Sequence, residues 1–480
     1  MSKLKEVAPP KDRVQVYQKN PFYIQYKNKP LFLYGCNQGW VTSLQNLDHD
    51  YLTEFDLLAK VGGNLVRITP FITESLGSPK CFDDRMYNLP WCREGGQYRL
   101  DLENGGANPM FWERLEQLVR DAYERDIIIS FEFWDLYGPA RGPETHLLYK
   151  TSPGDRWGAH PFFPGNSPDL TGSDMLPPDT YKKDIAFCRT VTHGGYEKAL
   201  RFQEQYVRKM LDTLSPYPNV IYCMVNETSA KKEWSDYWLD FTRRYFDEIW
   251  DGAPFLAGEM PREFSFTENF TIEDMIDDTR YGFADASQYL RGNVKNNLIK
   301  FYEYCRKTDN IKPITCMKIY NRLSPDVNWT RLFGGAASSR YHRLKGAGWF
   351  DKDNIPEGAF KQLDFVKHLT DFIRDTDYQP WNMEPFHKVV IQSENIDETM
   401  AMCSKDRQIC AGLIYCTGKR ENRCIRLSLP KGEWNCFWLN PANGKRTEKE
   451  SCVVDGDNGL ERRVPEDYLT GVFYCKIKQL

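Results

Sequence analysis

The apolar run Ile221-Tyr222-Cys223-Met224-Val225 stops at Asn226-Glu227-Thr228, which sets an amide and a carboxylic acid side by side where a short strand gives out. Five apolar residues after Pro216-Tyr217-Pro218, followed by a helical pattern, read as a buried parallel strand. A carboxyl group at such an exit faces a cleft and suits proton transfer; in a (β/α)8 barrel the groups that do chemistry lie at the C-terminal ends of the strands. The same Asn, Glu and Thr would equally serve the N-cap region of the next helix. Both readings stay open on the local pattern.

The elements that must position this pair alternate along the chain. Tyr23 to Tyr34 predicts a small hairpin turning at Lys27-Asn28-Lys29 and running into a first strand, Leu31 to Gly35. Helical periodicity over 48–61 ends at Gly62-Gly63, and Asn64 to Thr69 follows as a strand. Asn108-Pro109 opens a helix to Arg125, before a strand from Ile127 to Phe133. Further pairs follow: strand 221–225 with helix 234–250, strand 254–258 with a helix near 272–278, strand 282–285 with helix 296–307, strand 313–317 with helix 329–337, and strand 338–341 with helix 360–374. That is the count of a (β/α)8 barrel, an α/β fold. The stretch from Gly138 to Gly194, dense in Pro, Gly and Asp, reads as a loop over the cleft.

After Asp377-Tyr378-Gln379-Pro380 the pattern changes to short strand-like runs: Lys388 to Gln392, Ile409 to Cys416, Cys424 to Leu429, Trp434 to Leu439 and Thr470 to Ile477. Turn signals such as Asn440-Pro441-Ala442-Asn443-Gly444 separate them, as in an antiparallel β-sandwich. The expected division is a barrel with its N-terminal hairpin over 1–378 and a β-sandwich over 379–480.

Composition narrows the partners. A net charge of -4 over 480 residues provides no basic field for a polyanionic backbone, so no nucleic-acid partner is expected. No stretch reaches the roughly 18 consecutive apolar residues of a membrane span, and no apolar segment follows the first residues as in a secretion signal, so no membrane partner is expected. The 14 cysteines include no CxxC pair and several fall in apolar runs, which favours buried free thiols and a reducing, cytoplasmic setting; a chain trimmed of a signal peptide for secretion or the periplasm would look the same. The 7 histidines show no HxH or HExxH spacing, so neither a metal site nor a cofactor is expected. With 13 Trp, 27 Tyr and 28 Phe the chain is rich in rings that suit sugar faces, though most must be core. Nothing in the pattern fixes an oligomeric state.

Lys29-Pro-Leu-Phe-Leu-Tyr-Gly35, Gly63-Asn-Leu-Val-Arg67, Val225-Asn226-Glu227, Phe333 to His342, Leu429 to Trp434 and Trp438 to Lys445, taken in order, resemble the bacterial clan A-like glycoside hydrolases that carry a C-terminal sandwich often labelled collagen-binding. The resemblance covers nearly the whole chain. It implies hydrolysis of a glycosidic bond in a plant or algal oligo- or polysaccharide, with a carbohydrate as the partner. It further implies that Glu227 is the general acid/base and that Asn226 binds the hydroxyl beside the anomeric carbon. That chemistry requires surroundings that raise the Glu227 pKa.

The family's nucleophile, a Glu at the end of strand seven, has no counterpart, because Cys316-Met317-Lys318-Ile319-Tyr320 occupies that place. The candidates for a second carboxylate are Glu259 at the end of strand five, which also suits a rim ion pair with Arg262; Asp285 at the end of strand six, which also suits a structural cap; and Glu132 or Asp135 at the end of strand three. Alternation could turn Glu132 into the packed layers of the barrel instead. Trp40, Arg67, Trp134, Lys318, Tyr320, Arg340 and His342 are the strand-end groups expected to stack on or hydrogen-bond to sugar, and Arg67 with Arg340 would suit an anionic sugar or, equally, carboxylate bridges inside the barrel mouth. Two rivals follow from Lys318: a catalytically silent carbohydrate-binding protein, and a uronate-directed lyase with Lys318 or Tyr320 as base.

Overall fold

The structure, a computed structural model, describes residues 12–71, 88–136, 157–180, 184–226, 230–261, 271–289, 294–344, 353, 355–416, 421–456 and 459–478. Eight strand and helix units follow one another: β1 Leu33–Cys36, α1 Tyr51–Lys60, β2 Leu65–Ile68, α2 Pro109–Glu124, β3 Ile128–Asp135, α3 Glu197–Leu214, β4 Val220–Asn226, α4 Lys232–Ile249, β5 Ala257–Glu259, α5 Ile272–Asp277, β6 Phe283–Asp285, α6 Val294–Thr308, β7 Ile314–Thr315, α7 Val327–Phe333, β8 Ser338–Tyr341 and α8 Glu357–Asp375. Local chemistry sets their limits. Asp50 caps α1 by accepting from the Thr53 N–H at 3.0 Å, Pro109 opens α2 after Asn108, and Thr271 and Asp274 form a capping box on α5.

The strands β2 to β7 form one curled parallel sheet in sequence order, and β8 pairs with β1. Backbone bonds join the two pieces: Asn64 N donates to Tyr34 O at 2.9 Å on one side, and on the other Ala337 N donates to Ile314 O at 2.8 Å, Arg340 N to Cys316 O and Ile319 N to Arg340 O at 3.1 Å, and His342 N to Ile319 O at 3.0 Å. Alternation sends Leu33, Leu65, Ile128, Ile221 and Phe283 into one apolar cluster inside the curl, with Val14, Ile24 and Tyr26 from the N-terminal segment. Gly35 is required in this layer, since a Cβ there would stand 2.1 Å from the Leu65 carbonyl oxygen. The hairpin pairs Ile24–Tyr26 with Lys29–Leu31, and Lys27 and Asn28 both take positive φ, 49° and 59°, as a tight primed turn demands.

The tip of β3 breaks the alternation. Phe131 and Phe133 face the helices, and so does Trp134, whose ring packs on Tyr206 of α3 at 4.6 Å and Trp238 of α4 at 5.3 Å. Phe133 and Trp134 on one side let Glu132 and Asp135, three apart, share the inner face, while the pairing with β4 stays in register. Of the segment from Gly138 to Gly194 expected to cover a cleft, 138–156 and 181–183 lie outside the described residues. Part of the described remainder is buried. Trp157, Phe162 and Phe187 join the main core, with Phe187 at 5.3 Å from Trp134 and 5.6 Å from Trp234.

The C-terminal part contains β9 Met383–Pro385, β10 Val390–Glu394, β11 Glu398–Ser404, β12 Ile409–Tyr415, β13 Cys424–Leu427, β14 Gly432–Leu439, β15 Glu450–Val454, β16 Leu460–Arg463 and β17 Thr470–Ile477. They form a six-stranded antiparallel sheet, β9-β11-β12-β17-β14-β15, and a three-stranded one, β10-β13-β16, consistent with a β-sandwich. One face of the larger sheet, through Met400, Met402, Leu413, Phe437, Val472 and Tyr474, belongs to the core shared with the helices. The other face packs on Ile425, Leu427 and Leu460 of the smaller sheet. Sequence patterning passed over β9, β11, β15 and β16. Glu398-Thr-Met-Ala-Met-Cys-Ser404 is rich in helix formers, and β15 and β16 are short and charged, so their pairing depends on neighbours. Among the described residues no helix is long and apolar enough to cross a membrane.

Candidate functional site

The inner face of β1 to β4 and β8 changes from apolar to polar toward the C-terminal ends. Two residues beyond Leu65 stands Arg67; beyond Ile128 come Ser130 and Glu132; beyond Gly35 comes Asn37. Arg67 and Glu132 are fully buried and form an ion pair, with Arg67 Nε donating to Glu132 Oε1 at 2.6 Å. Glu132 Oε2 accepts from Trp40 Nε1 at 3.2 Å and from the Thr69 hydroxyl. Arg67 Nη2 donates to Asn226 Oδ1, and Asn226 Nδ2 donates to Asp135 Oδ1 at 2.6 Å. A continuous chain therefore runs Glu132, Arg67, Asn226, Asp135 across three strands, and it fixes which end of the Asn226 amide points which way.

Arg340 on β8 closes the other side of the mouth, though not as a group open to sugar. Its Nε donates to Asn37 Oδ1 at 2.7 Å, Nη2 to Asn37 O at 3.1 Å and Nη1 to Met317 O at 3.0 Å, so this guanidinium ties β8 to β1 and β7. The expectation that it grips an anionic sugar is corrected accordingly. Lys318 stands between Trp40 and Tyr320, with Nζ 5.6 Å and 5.4 Å from their ring centroids, and Arg67 and Arg343 also lie over the Trp40 ring. Burial, reinforced by Arg67, moves the Lys318 ammonium well below the usual lysine range. His342 packs edge-on to both Trp40 and Tyr320, and burial with the surrounding cations lowers its pKa as well.

The remaining expected groups separate. Trp134 lies in the aromatic layer between strand and helices, away from the mouth, because of the broken alternation at the β3 tip. Glu259 also faces the helices. Leu256 and Met260 belong to the inner cluster and a Cβ on Gly258 would meet the inner Phe283 ring, so Glu259 points the opposite way, with Ser235 of α4 and the Val225 backbone as neighbours. Burial raises its pKa well above its ordinary value. Asp285 is a structural cap: Oδ1 accepts from Ser287 N, and Oδ2 from Thr315 Oγ1 and Met317 N, each at 2.9 Å. Its pKa is raised by burial. Glu227 and Arg262 lie outside the described residues.

Asn37 and Arg343 carry no mention in the sequence reading. Asn37 had a usable signal, as a polar residue directly after the strand Leu33–Cys36, the pattern that drew attention to Asn226. Arg343 had none. A pocket of about 810 Å³ opens beside Lys318 and Tyr320, with Asn296, Asp397, Glu398 and Tyr415 among its lining residues, so the larger antiparallel sheet contributes to its wall. Among the described residues no group of three or more His, Cys, Asp or Glu is arranged to hold a metal ion.

No family model matches the sequence, and no curated protein does. Solved structures do. A glycoside hydrolase family 5 protein from Bacteroides vulgatus ATCC 8482 superposes with a TM-score of 0.59 at 13% identity, over 97% of this chain and 94% of that one. A second structure, described as a glycoside hydrolase, gives 0.59 at 13% over 97% of each chain. The α-amylase of Geobacillus thermoleovorans, solved with acarbose, gives 0.51 at 11% over 93% of this chain and 99% of its own. At such identities the likeness shows the fold: this chain has the architecture of glycoside hydrolases. It does not show a collagen-binding domain.

Proposed function

We propose that the chain is a glycoside hydrolase with a closed (β/α)8 barrel, cleaving a plant or algal oligo- or polysaccharide by carboxylate acid/base catalysis, and that the C-terminal sheets support the barrel and complete one wall of its pocket. Glu227 protonates the leaving oxygen, Asn226 holds the adjacent sugar hydroxyl, and Asp135 is the second carboxylate. The observation that carries the reading is the fixed Asn226 amide, held between Arg67 and Asp135 at the tip of β4, directly before Glu227 in the chain. Among the candidate carboxylates Asp135 is preferred, because both oxygens of Glu132 and of Asp285 are committed to protein groups and Glu259 faces the helices. Asp135 is also the most accessible of the four, at 9% against 0%, 1% and 0%. The pocket beside Lys318, lined by Tyr320 and Tyr415 but not by Asn226 or Asp135, has a size within the usual range for small-molecule sites.

Glu227→Gln and Asp135→Asn, assayed for reducing ends against a panel of plant and algal oligosaccharides, test the assignment. Each is expected to lower kcat by a factor of about 10² to 10⁴ with melting temperature unchanged, the usual reach of a positioned acid or base. Near-normal turnover of the Glu227 variant removes the hydrolase reading; near-normal turnover of the Asp135 variant removes Asp135 alone. A second reading, a non-catalytic carbohydrate-binding protein, is favoured by Lys318 standing beside Trp40 and Tyr320 where the family's nucleophile would be. It predicts saturable binding by calorimetry with no bond cleaved.

A further inference from the structure

The inner face of the larger antiparallel sheet carries a row of four cysteines on four adjacent strands. The register pairs Cys403 of β11 with Cys410 of β12, Cys410 with Cys475 of β17, and Cys475 with Cys436 of β14. All four are buried in the core between the two sheets, and none is in a disulfide. The row is not uniform, because directly opposed residues in an antiparallel pair alternate between hydrogen-bonded and non-hydrogen-bonded types. Their Cα separations are about 5.5 Å and about 4.5 Å, with side chains closer in the second type.

The backbone bonds decide which type each cysteine pair is. Ile477 N donates to Gln408 O, and Cys416 N to Leu469 O, so even-numbered residues of β12, Cys410 among them, direct their amides toward β17. Cys410 and Cys475 are therefore a hydrogen-bonded pair, and the backbones of both face each other. It follows that Cys403 with Cys410, and Cys436 with Cys475, are non-hydrogen-bonded pairs. The bond from Lys478 N to Glu433 O, three positions along from Cys475 and Cys436, gives the same phase independently. Both separations fall inside the range of Cα distances a disulfide accepts, about 4.4 to 6.8 Å, but the non-hydrogen-bonded type brings the Cβ atoms closer, toward the short Cβ distance the bond requires.

We propose that this row is a covalent modification site: under an oxidising thiol poise it forms two cross-strand disulfides, Cys403 with Cys410 and Cys436 with Cys475, and none between Cys410 and Cys475. In each pair a thiolate attacks the disulfide of an oxidant such as glutathione disulfide, releasing one glutathione thiol and leaving a mixed disulfide. The partner thiol loses its proton and displaces the second glutathione. Two protons and two electrons leave the protein for each bond, and the oxidant takes them up. The hydrogen bond from the partner thiol lowers the pKa of Cys403 and of Cys436 relative to an ordinary thiol, which marks one attacking sulfur in each pair. Cys452 on the neighbouring β15 is the competitor, through its side-chain hydrogen bond with Cys436, but in register it opposes Trp434 and its Sγ accepts from Arg462 Nη1 at 3.2 Å.

The test equilibrates the full chain, once folded and once refolded from denaturant, in glutathione buffers of graded redox poise, blocks free thiols under denaturing conditions and maps peptides by mass spectrometry. Expected are the loss of four hydrogens, linked peptides 403 with 410 and 436 with 475, and a higher melting temperature, owed mainly to the second bond because it closes the longer loop. In Cys475→Ala the 403 with 410 link is expected to persist while Cys436 becomes fully alkylated. Complete alkylation of the four cysteines in both arms overturns the proposal, as does a 410 with 475 link or a 436 with 452 link. The outcome is independent of any activity on sugars.

Discussion

The two ends of the curled sheet are built from the same strands and have opposite chemistry. At the floor, Leu33, Leu65, Ile128, Ile221 and Phe283 meet beneath Val14, Ile24 and Tyr26 in an apolar layer with no charged member. A few residues further along each strand, the mouth buries Arg67, Glu132, Arg340 and Lys318, all at 5% exposure or less. Floor residues are replaceable by anything apolar of similar volume; mouth residues are bound to named partners on other strands, and each is costly to remove alone. The difference teaches that ordering in the mouth comes from hydrogen-bond partnership, while ordering in the floor comes from shape.

The largest expected effect breaks that partnership. Arg67→Met leaves Glu132 buried without its cation and is expected to destabilise the fold by about 3 to 5 kcal/mol in chemical denaturation. Restoring most of that loss in the double variant with Glu132→Gln would show that the uncompensated charge, not lost packing, causes it; no restoration would contradict the ion-pair account.

A smaller effect concerns Glu259, which shares the burial of the mouth residues yet faces the helices. Its folded pKa lies above its ordinary value of 4.5, so between those two values the folded state holds a proton that the unfolded state has lost. Stability therefore falls as pH rises through that window, with a slope of up to about 1.4 kcal/mol per pH unit. Glu259→Gln is expected to flatten the slope and raise stability above the window without altering turnover. A slope that survives the substitution assigns the dependence to another group.

The smallest effect is at the floor. Ile221→Val is expected to cost about 0.5 to 1.5 kcal/mol through the lost methylene, with kcat and pH profile unchanged. A change in kcat of tenfold or more would mean that floor packing transmits to the mouth, and the separation of the two ends would fail.

Much of the scaffold was legible along the chain. The β4 run and its abrupt end at Asn226, the Gly62-Gly63 stop after α1, Pro109 at the start of α2 and the Lys27-Asn28 turn are local events written in residue type. The mouth was legible only as a set of strand-end polar residues. Which of them meet was not, because Arg67 and Asn226 are 159 positions apart and their bond depends on adjacent placement in space. Trp134 and Glu259 were expected at the mouth because each ends a strand. Neither is there.

What the sequence determined by itself is the alternation of strands and helices, the change to antiparallel strands after Gln379, and the identity of the polar groups at each strand exit. These depend on periodicity and turn chemistry within a few residues. The tertiary structure alone decided which face those groups take and which are already satisfied. A break in alternation at the β3 tip, in register with β4, turns Trp134 outward and Asp135 inward, and the bonds that commit Glu132, Asp285 and Arg340 come from other strands. A side chain's direction at a strand end is set by accumulated register, and its availability by partners far away in the chain; neither is a local property.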